Sequence, residues 1–365
     1  MRRLDEWLTK PPDTRWEASL LNGLQLASHV YAAGVRARAW AYRHGVFRQI
    51  GMNTPVISIG NVTVGGTGKT PLAIFLARYL HEHGRHPAIV SRGYLKEGRG
   101  LVVVSDGRKI LVRRRRAGDE PYLMARSLPG VPVVVGPNRA IAGYVAIARF
   151  APDIILMDDG FQHLKVQRDL DIVVIDATNP FGNGMTLPRG TLREPPSHIH
   201  RADMIVLTRV DQADYLRELR EHIHRLNPEA PIVESIHAPT ALRHYQSRRD
   251  LGLRRLRGAR VAALSSIGNP AAFERTLHSL GAEVIEHRRL PNHYLYRRGP
   301  LSDFVDRARE MNAEAIVTTE KDMVRFPPGF AFYIDVWVLE IALRITGGEE
   351  HLSRLLALSR ESAAA

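Results

Sequence analysis

Between an apolar run at 55–60 and a helical pattern at 71–83, the chain reads Thr63-Val64-Gly65-Gly66-Thr67-Gly68-Lys69-Thr70. Strand, glycine-rich turn and helix in that order leave few folds open. The glycines let successive backbone N–H groups curl around phosphate oxygens, and the helix N-terminus adds its partial positive charge. Lys69 reaches the outer phosphates, and the Thr70 hydroxyl can ligate Mg²⁺. Thr63 stands where the usual pattern has its first glycine. A glycine turn with no ligand is the bland alternative. The setting points instead to a nucleoside triphosphate held with Mg²⁺ by Thr63, Gly65, Gly66, Thr67, Gly68, Lys69 and Thr70.

The flanking pattern agrees with such a fold. Runs rich in Val and Ile at 55–60, 87–91, 132–136, 153–158, 171–176 and 203–208 alternate with helical stretches, as in a parallel sheet of strand–helix–strand units. Residues 101–112 read as a hairpin turning at Asp106-Gly107, decorating the sheet rather than joining it. A basic, polar connection follows at 236–258. The alternation then resumes, with strands near 260–265, 283–287, 315–319 and 335–341 and helices near 270–280, 301–312 and 349–360. The expected fold class is α/β: a P-loop NTPase parallel sheet over 51–235, a second, smaller α/β domain over 259–365, and an N-terminal helical region over 1–50. Within the first of these, Asp153-Ile154-Ile155-Leu156-Met157-Asp158-Asp159 is an apolar strand ending in two carboxylates. That is the form of a Walker B strand, whose terminal Asp holds Mg²⁺ near the nucleotide phosphates. Asp158 and Asp159 therefore join Thr70 as candidate metal ligands. Without the upstream glycine loop they would read as a strand end entering a turn.

Composition narrows the partners. The 365 residues are 44% hydrophobic and 24% charged, which suits two globular domains and excludes collagen-like, disordered and disulfide-scaffold classes. Cysteine is absent, so no disulfide, thiolate metal site or cysteine nucleophile exists here. The formal charge of +13 favours anionic partners. The first residues lack the layout of a secretory signal, which places the chain on the cytoplasmic side. From Ala18 to Val35 the chain is uncharged but interrupted by Asn22, Gln25, Ser28 and His29, which argues against a full membrane span. Leu20, Leu21, Leu24, Ala27, Tyr31 and Val35 recur at helical spacing, and Arg36, Arg38, Arg43 and Arg48 follow. Such a helix either lies at an anionic membrane surface or packs on the chain's own core. Two other functions fit parts of the sequence. Leu207-Thr208-Arg209-Val210-Asp211 loosely resembles a guanine-selecting motif, as in a P-loop GTPase or nucleotide-driven switch. The positive charge alone would suit a nucleic-acid-dependent ATPase, but no aromatic-interleaved basic stripe supports it, and no nucleic acid partner is expected.

Several ordered motifs together resemble one family. Gly65-Gly66-Thr67-Gly68-Lys69-Thr70-Pro71, Ser91-Arg92-Gly93-Tyr94, Gly118-Asp119-Glu120-Pro121, Asp158-Asp159-Gly160-Phe161-Gln162-His163, Leu187-Pro188-Arg189-Gly190 and Leu192-Arg193-Glu194-Pro195 occur in the order seen in the tetraacyldisaccharide 4'-kinase, or lipid A 4'-kinase, family. The resemblance runs from about 50 to 210 and more weakly to about 325. It implies transfer of the ATP γ-phosphoryl group to the 4'-hydroxyl of a lipid A disaccharide 1-phosphate, by a peripheral enzyme at the cytoplasmic face of the inner membrane. The resemblance further implies that Asp119 orients or deprotonates the acceptor hydroxyl, supported by His293, with Lys69 on the phosphates. The chain reads Asn292-His293-Tyr294 where the family usually has Asp-His-His. Glu194 is a further candidate metal ligand, a solvated or salt-bridged carboxylate being the alternative, and Arg92, Glu120, His163, Arg189 and Arg193 are candidate substrate contacts. Guanidinium groups suit phosphate oxygens, and surface arginines are the alternative.

Overall fold

The computed structural model describes residues 14–94, 96–291, 294–353, 355 and 357. These form two compact units, the first comprising the described residues up to Ile236 together with those from Leu343 onward, the second His237–Ala342.

Eight strands build the first unit: β1 (Val56–Gly60), β2 (Pro87–Ser91), β3 (Val102–Asp106), β4 (Pro132–Val135), β5 (Ile154–Asp158), β6 (Leu170–Asp176), β7 (Met204–Thr208) and the start of β8 (Ile232–His244). Their order is β8-β7-β6-β1-β5-β2-β4-β3. All neighbours run parallel except β3, which pairs antiparallel with β4. Every residue of β1, β2, β5 and β7 is buried. Burial on both faces explains why these strands read as continuous apolar runs. Helix α1 (Arg15–Arg43) opens with a capping box between Thr14 and Glu17. Next comes α2 (Lys69–Glu82), whose Leu72, Ala73, Leu76, Ala77 and Leu80 pack on Ile57, Ile59 and Leu156. Across the sheet, Ala140, Ala142 and Ala146 of a later helix (Arg139–Phe150) cover Val56, Val90, Ile155 and Met157.

Three expectations change. The segment at 101–112 belongs to the sheet: β3 pairs with β4 from Val102 to Asp106, Val102 and Val104 are buried in the same core as α2, and the return arm bridges back to Ser105 through Ile110. Residues 236–258 hold regular structure, because β8 continues to His244 and a 3-10 turn follows at Leu253–Leu256. The chain also does not stay in the second unit to its end. Leu343, Leu352 and Leu355 are buried in the first unit's core, whereas the sequence pattern assigned all of 259–365 to the second domain.

The second unit is an all-parallel sheet in the order β10-β9-β11-β12, formed by β9 (Arg260–Ser265), β10 (Glu283–Arg289), β11 (Ala315–Thr319) and the start of β12 (Asp335–Gly347). The polar run Thr318-Thr319-Glu320-Lys321-Asp322 lies at the end of β11. Thr319 caps the short helix that follows, and the buried Asp322 accepts from the Ser266, Tyr296 and Thr319 hydroxyls. Full satisfaction by neutral donors, with Arg325 3.6 Å away, makes this carboxylate tolerable inside the core.

Candidate functional site

Parallel strands bring their carboxyl ends to one edge, and β1 and β5 are neighbours in register, with Ile59 opposite Asp158. The glycine loop leaving β1 therefore starts beside the carboxylates that end β5, where ligands bind in open α/β sheets. Gly65 and Gly68 hold φ of 129° and 99°, conformations open to glycine, and α2 begins at once with Lys69. Thr63 is not in the left-handed region, so no glycine is required there. It is tied down by the fully buried Asn61, whose Nδ2 donates to the Thr63 carbonyl at 2.7 Å. Asn61 Oδ1 accepts from Lys69 Nζ at 2.9 Å, and Asp159 lies 3.5 Å from the same ammonium. Burial pulls the Lys69 ammonium below the ordinary lysine range, against the opposing pull of Asp159.

The two carboxylates differ in surroundings. Asp158 is 3% exposed; its Oδ2 accepts from Ser91 Oγ at 2.9 Å, and its Oδ1 is buried with no hydrogen-bond partner. Burial, then the charges of Glu120 and Asp159, push its carboxyl up to about 7. Burial pushes Asp159 the same way but loses to Lys69 and Arg193, which hold it below the ordinary carboxylate range. Arg193 Nη1 contacts both Asp159 oxygens, at 2.9 and 3.1 Å. Asp159 has φ 52°, a backbone cost accepted where the strand turns into the loop.

Asp119 and Glu120 open the helix Asp119–Ser127. Gly118 before them has φ 88°, and a Cβ there would stand 2.9 Å from the Tyr94 carbonyl. The Arg92-Gly93-Tyr94 and Gly118-Asp119-Glu120 segments are thus pressed together, which a larger residue at 118 would prevent. Arg114 Nη1 donates to Asp119 Oδ1 at 2.6 Å. The charge of Glu120 acts on both Asp158 and Lys69, which places it toward the glycine loop. Arg92 is exposed. The expected partnership of Asp119 with His293 falls on a residue outside those described.

Glu194 is 3% exposed and accepts from His198 Nδ1 at 2.6 Å, Arg201 Nη2 at 2.6 Å and Gln162 Nε2 at 2.9 Å. Burial raises its carboxyl, but these donors outweigh it and hold it low. With three donors in place, Glu194 is built into the loop rather than offered to a metal, unlike Asp158. His163 is partly buried with Nε2 unpartnered, and burial followed by the charge of Arg139 pulls it down to about 4. Arg189 lies on a loop stitched to α1: Ser28 Oγ accepts from Arg189 N at 2.9 Å and donates to the Thr186 carbonyl at 2.8 Å. Tyr31 donates to the Arg193 carbonyl and Arg38 to the Gln162 carbonyl. Helix α1 therefore turns Leu21, Ser28, Ala32 and Ala41 inward while Trp16, Leu20, Leu26, Val30 and Trp40 remain exposed. The apolar stripe read from the sequence is divided, with Leu21 inside and Leu20 and Tyr31 outside. Among the described residues no helix is long and apolar enough to cross a membrane.

Asn61, Arg114 and Arg139 are site residues that escaped the sequence reading. Arg139 is 5% exposed, its Nε lacks a hydrogen-bond partner, and the charges of Asp159, Arg92 and Asp158 act on it, although burial still lowers its guanidinium. It sits just after the helix cap Asn138, outside every motif, and only its burial marks it out.

Known proteins align with nearly all of this chain. The sequence profile of the tetraacyldisaccharide-1-P 4'-kinase family matches residues 20–359. The tetraacyldisaccharide 4'-kinase of Anaeromyxobacter sp. (strain Fw109-5) is 46% identical over 348 residues, covering 94% of this chain and 93% of that protein. The corresponding protein of Syntrophus aciditrophicus (strain SB) is 42% identical over 332 residues, 88% of each. Among solved structures, LpxK from Aquifex aeolicus in complex with ATP is similar with a TM-score of 0.74 and 29% identity, over 93% of this chain and 99% of that one. A match of such length in sequence and in backbone, with every motif in order, means that the chain belongs to the tetraacyldisaccharide-1-P 4'-kinase family.

Proposed function

We propose that this protein transfers the γ-phosphoryl group of ATP to the 4'-hydroxyl of a tetraacyldisaccharide 1-phosphate, working peripherally at the cytoplasmic face of the inner membrane. The observation that carries the reading is the meeting of Lys69 with Asp158 and Asp159 beside a glycine loop, in a chain of this family. A GTPase is not favoured: the segment at 207–211 has Thr208 and Arg209 engaged on the glycine loop instead of free for a base.

The residues fit Mg²⁺. Asp158 holds a buried carboxylate oxygen without a partner, in negative surroundings that call for a cation. Among the described residues no three acidic or histidine side chains converge on one metal site, which suits an ion that takes one or two carboxylates plus phosphate oxygens and water. Asp158 with the Thr70 hydroxyl would hold the ion, whose contribution when bound is to neutralise phosphate charge. The chain supplies the rest. The glycine loop binds the phosphates, Lys69 and Arg193 offset the charge that develops on them, and Asp119, oriented by Arg114, accepts the proton of the attacking hydroxyl. The new bond joins the 4'-oxygen to phosphorus as the bond to the β-phosphate oxygen breaks and ADP leaves. The exposed apolar residues of α1, with Arg36, Arg38, Arg43 and Arg48 beside them, suit an anionic lipid surface. Incubation of the purified chain with ATP, Mg²⁺ and a lipid A disaccharide 1-phosphate is expected to give a bisphosphorylated lipid. A chain that instead turns over GTP in preference to ATP, with no lipid product, would contradict the proposal.

A further inference from the structure

The segment Leu207-Thr208-Arg209-Val210-Asp211 is not absorbed by the reaction described above, yet its side chains reach into the nucleotide site. Thr208, the last residue of β7, is fully buried and donates its hydroxyl to the Thr67 carbonyl at 2.8 Å. Arg209 is 7% exposed with a left-handed backbone at φ 57°. Its Nη2 donates to the Gly66 carbonyl at 3.0 Å, and the same guanidinium pairs with Asp176 at the end of β6. Two consecutive carbonyls of the glycine loop are thus gripped from behind by two consecutive side chains. A left-handed conformation is unfavourable for arginine, so the neighbouring contacts hold it there against local preference. The arrangement has a direct consequence for a phosphate-binding loop. Its N–H groups must face the ligand, and they do so only if the intervening carbonyls are kept facing away.

We propose that Thr208 and Arg209 are positioning residues for the nucleotide, acting through the Gly66 and Thr67 carbonyls to keep the loop in its phosphate-receiving shape. This rests on the ATP-site reading above and extends it to residues outside the glycine motif. The loop grips the nucleotide before and during transfer, so loss of the brace weakens both states alike, raising KM for ATP and sparing kcat.

Thr208→Val keeps the side-chain shape and strands a buried carbonyl. KM for ATP is then expected to rise about tenfold to a hundredfold. At saturating ATP, kcat and the lipid KM stay within about twofold. Thr208→Ser restores the hydroxyl and near-normal KM. Arg209→Ala follows Thr208→Val, Arg209→Lys lies between, and the double variant falls short of the product of the singles because one loop is released. Should Thr208→Val fail to fold, Asp176→Asn, which frees Arg209 at a partly exposed position, carries the same expectation. The experiment varies both substrates in steady state and titrates a fluorescent ATP analogue with Mg²⁺ onto the full chain. A purely structural role would lower Tm and the active fraction while leaving the folded protein's ATP KM unchanged, and that result overturns the proposal. Wild-type chain that binds no analogue overturns the ATP-site reading itself. Wild-type binding matched by Thr208→Val and Arg209→Ala overturns the brace alone.

Discussion

Replacing Asp158 by asparagine is expected to make the nucleotide-free protein more stable above neutral pH while abolishing its activity. Asp158 is almost wholly buried, and its carboxyl is pushed from 3.8 up to about 7, chiefly by burial and then by Glu120 and Asp159. Because the folded value lies above the unfolded one, the folded chain keeps a proton that the unfolded chain releases. The associated stability is complete below the unfolded value and is lost as pH rises through the folded one. A shift of about three units at about 1.4 kcal/mol each gives a loss of up to about 4 kcal/mol between acidic and mildly alkaline pH. The asparagine side chain cannot ionise, still accepts from Ser91, and matches the protonated acid in shape and polarity. The stability of the Asp158→Asn protein should therefore lack this component of the pH dependence. Urea unfolding without nucleotide and with a chelator, at about pH 5 and about pH 8, reads about 3 kcal/mol of this loss, because pH 5 already lies above the unfolded value. Equal losses of stability by wild type and Asp158→Asn between those pH values would refute the reasoning.

Lys69→Ala should lower kcat by about a hundredfold to a thousandfold with the fold intact by circular dichroism, and wild-type turnover would contradict the role of Lys69. Asp119→Ala should lose lipid phosphorylation far more than ATP binding, and its effect should be non-additive with loss of His293; strict additivity would argue against their acting as a unit. Glu194→Ala leaves Arg201 and His198 without their buried acceptor and should cost about 3 kcal/mol of stability by urea unfolding. Vesicle sedimentation should show the full chain binding anionic more than neutral lipid, through basic residues each contributing about 1 kcal/mol near the surface, with binding weakened by salt and lost on removal of residues 1–48. Equal binding with and without those residues would move membrane contact elsewhere.

The features legible in the chain alone lie in contiguous stretches whose chemistry is local. A glycine loop between strand and helix, an apolar run ending in two aspartates, and the alternation of buried strands with amphipathic helices are dictated by backbone freedom, charge and periodicity within a few residues. Such local patterns suffice to mark Lys69, Asp158 and Asp159. Whatever depends on partners distant in the chain is settled only by folding. Asp158 and Asp159 read as equivalent until Ser91 and Arg193 distinguish them. Glu194 reads in the sequence as either a metal ligand or a paired carboxylate, and only the convergence of Gln162, His198 and Arg201 makes it the second. Ser28 looked like an interruption of an apolar stripe, yet its hydroxyl anchors α1 to the loop at 186–189. Arg139 carries no local signature, the motif holding Thr208 and Arg209 points to a base whereas both side chains brace the glycine loop, and the return of Leu352 and Leu355 to the first unit's core departs from a simple succession of domains. Periodicity reports which face of an element is apolar, but not which other element covers it. Hydrogen-bond partners hundreds of atoms apart along the chain are chosen only when the sheet's order has fixed which strand ends meet.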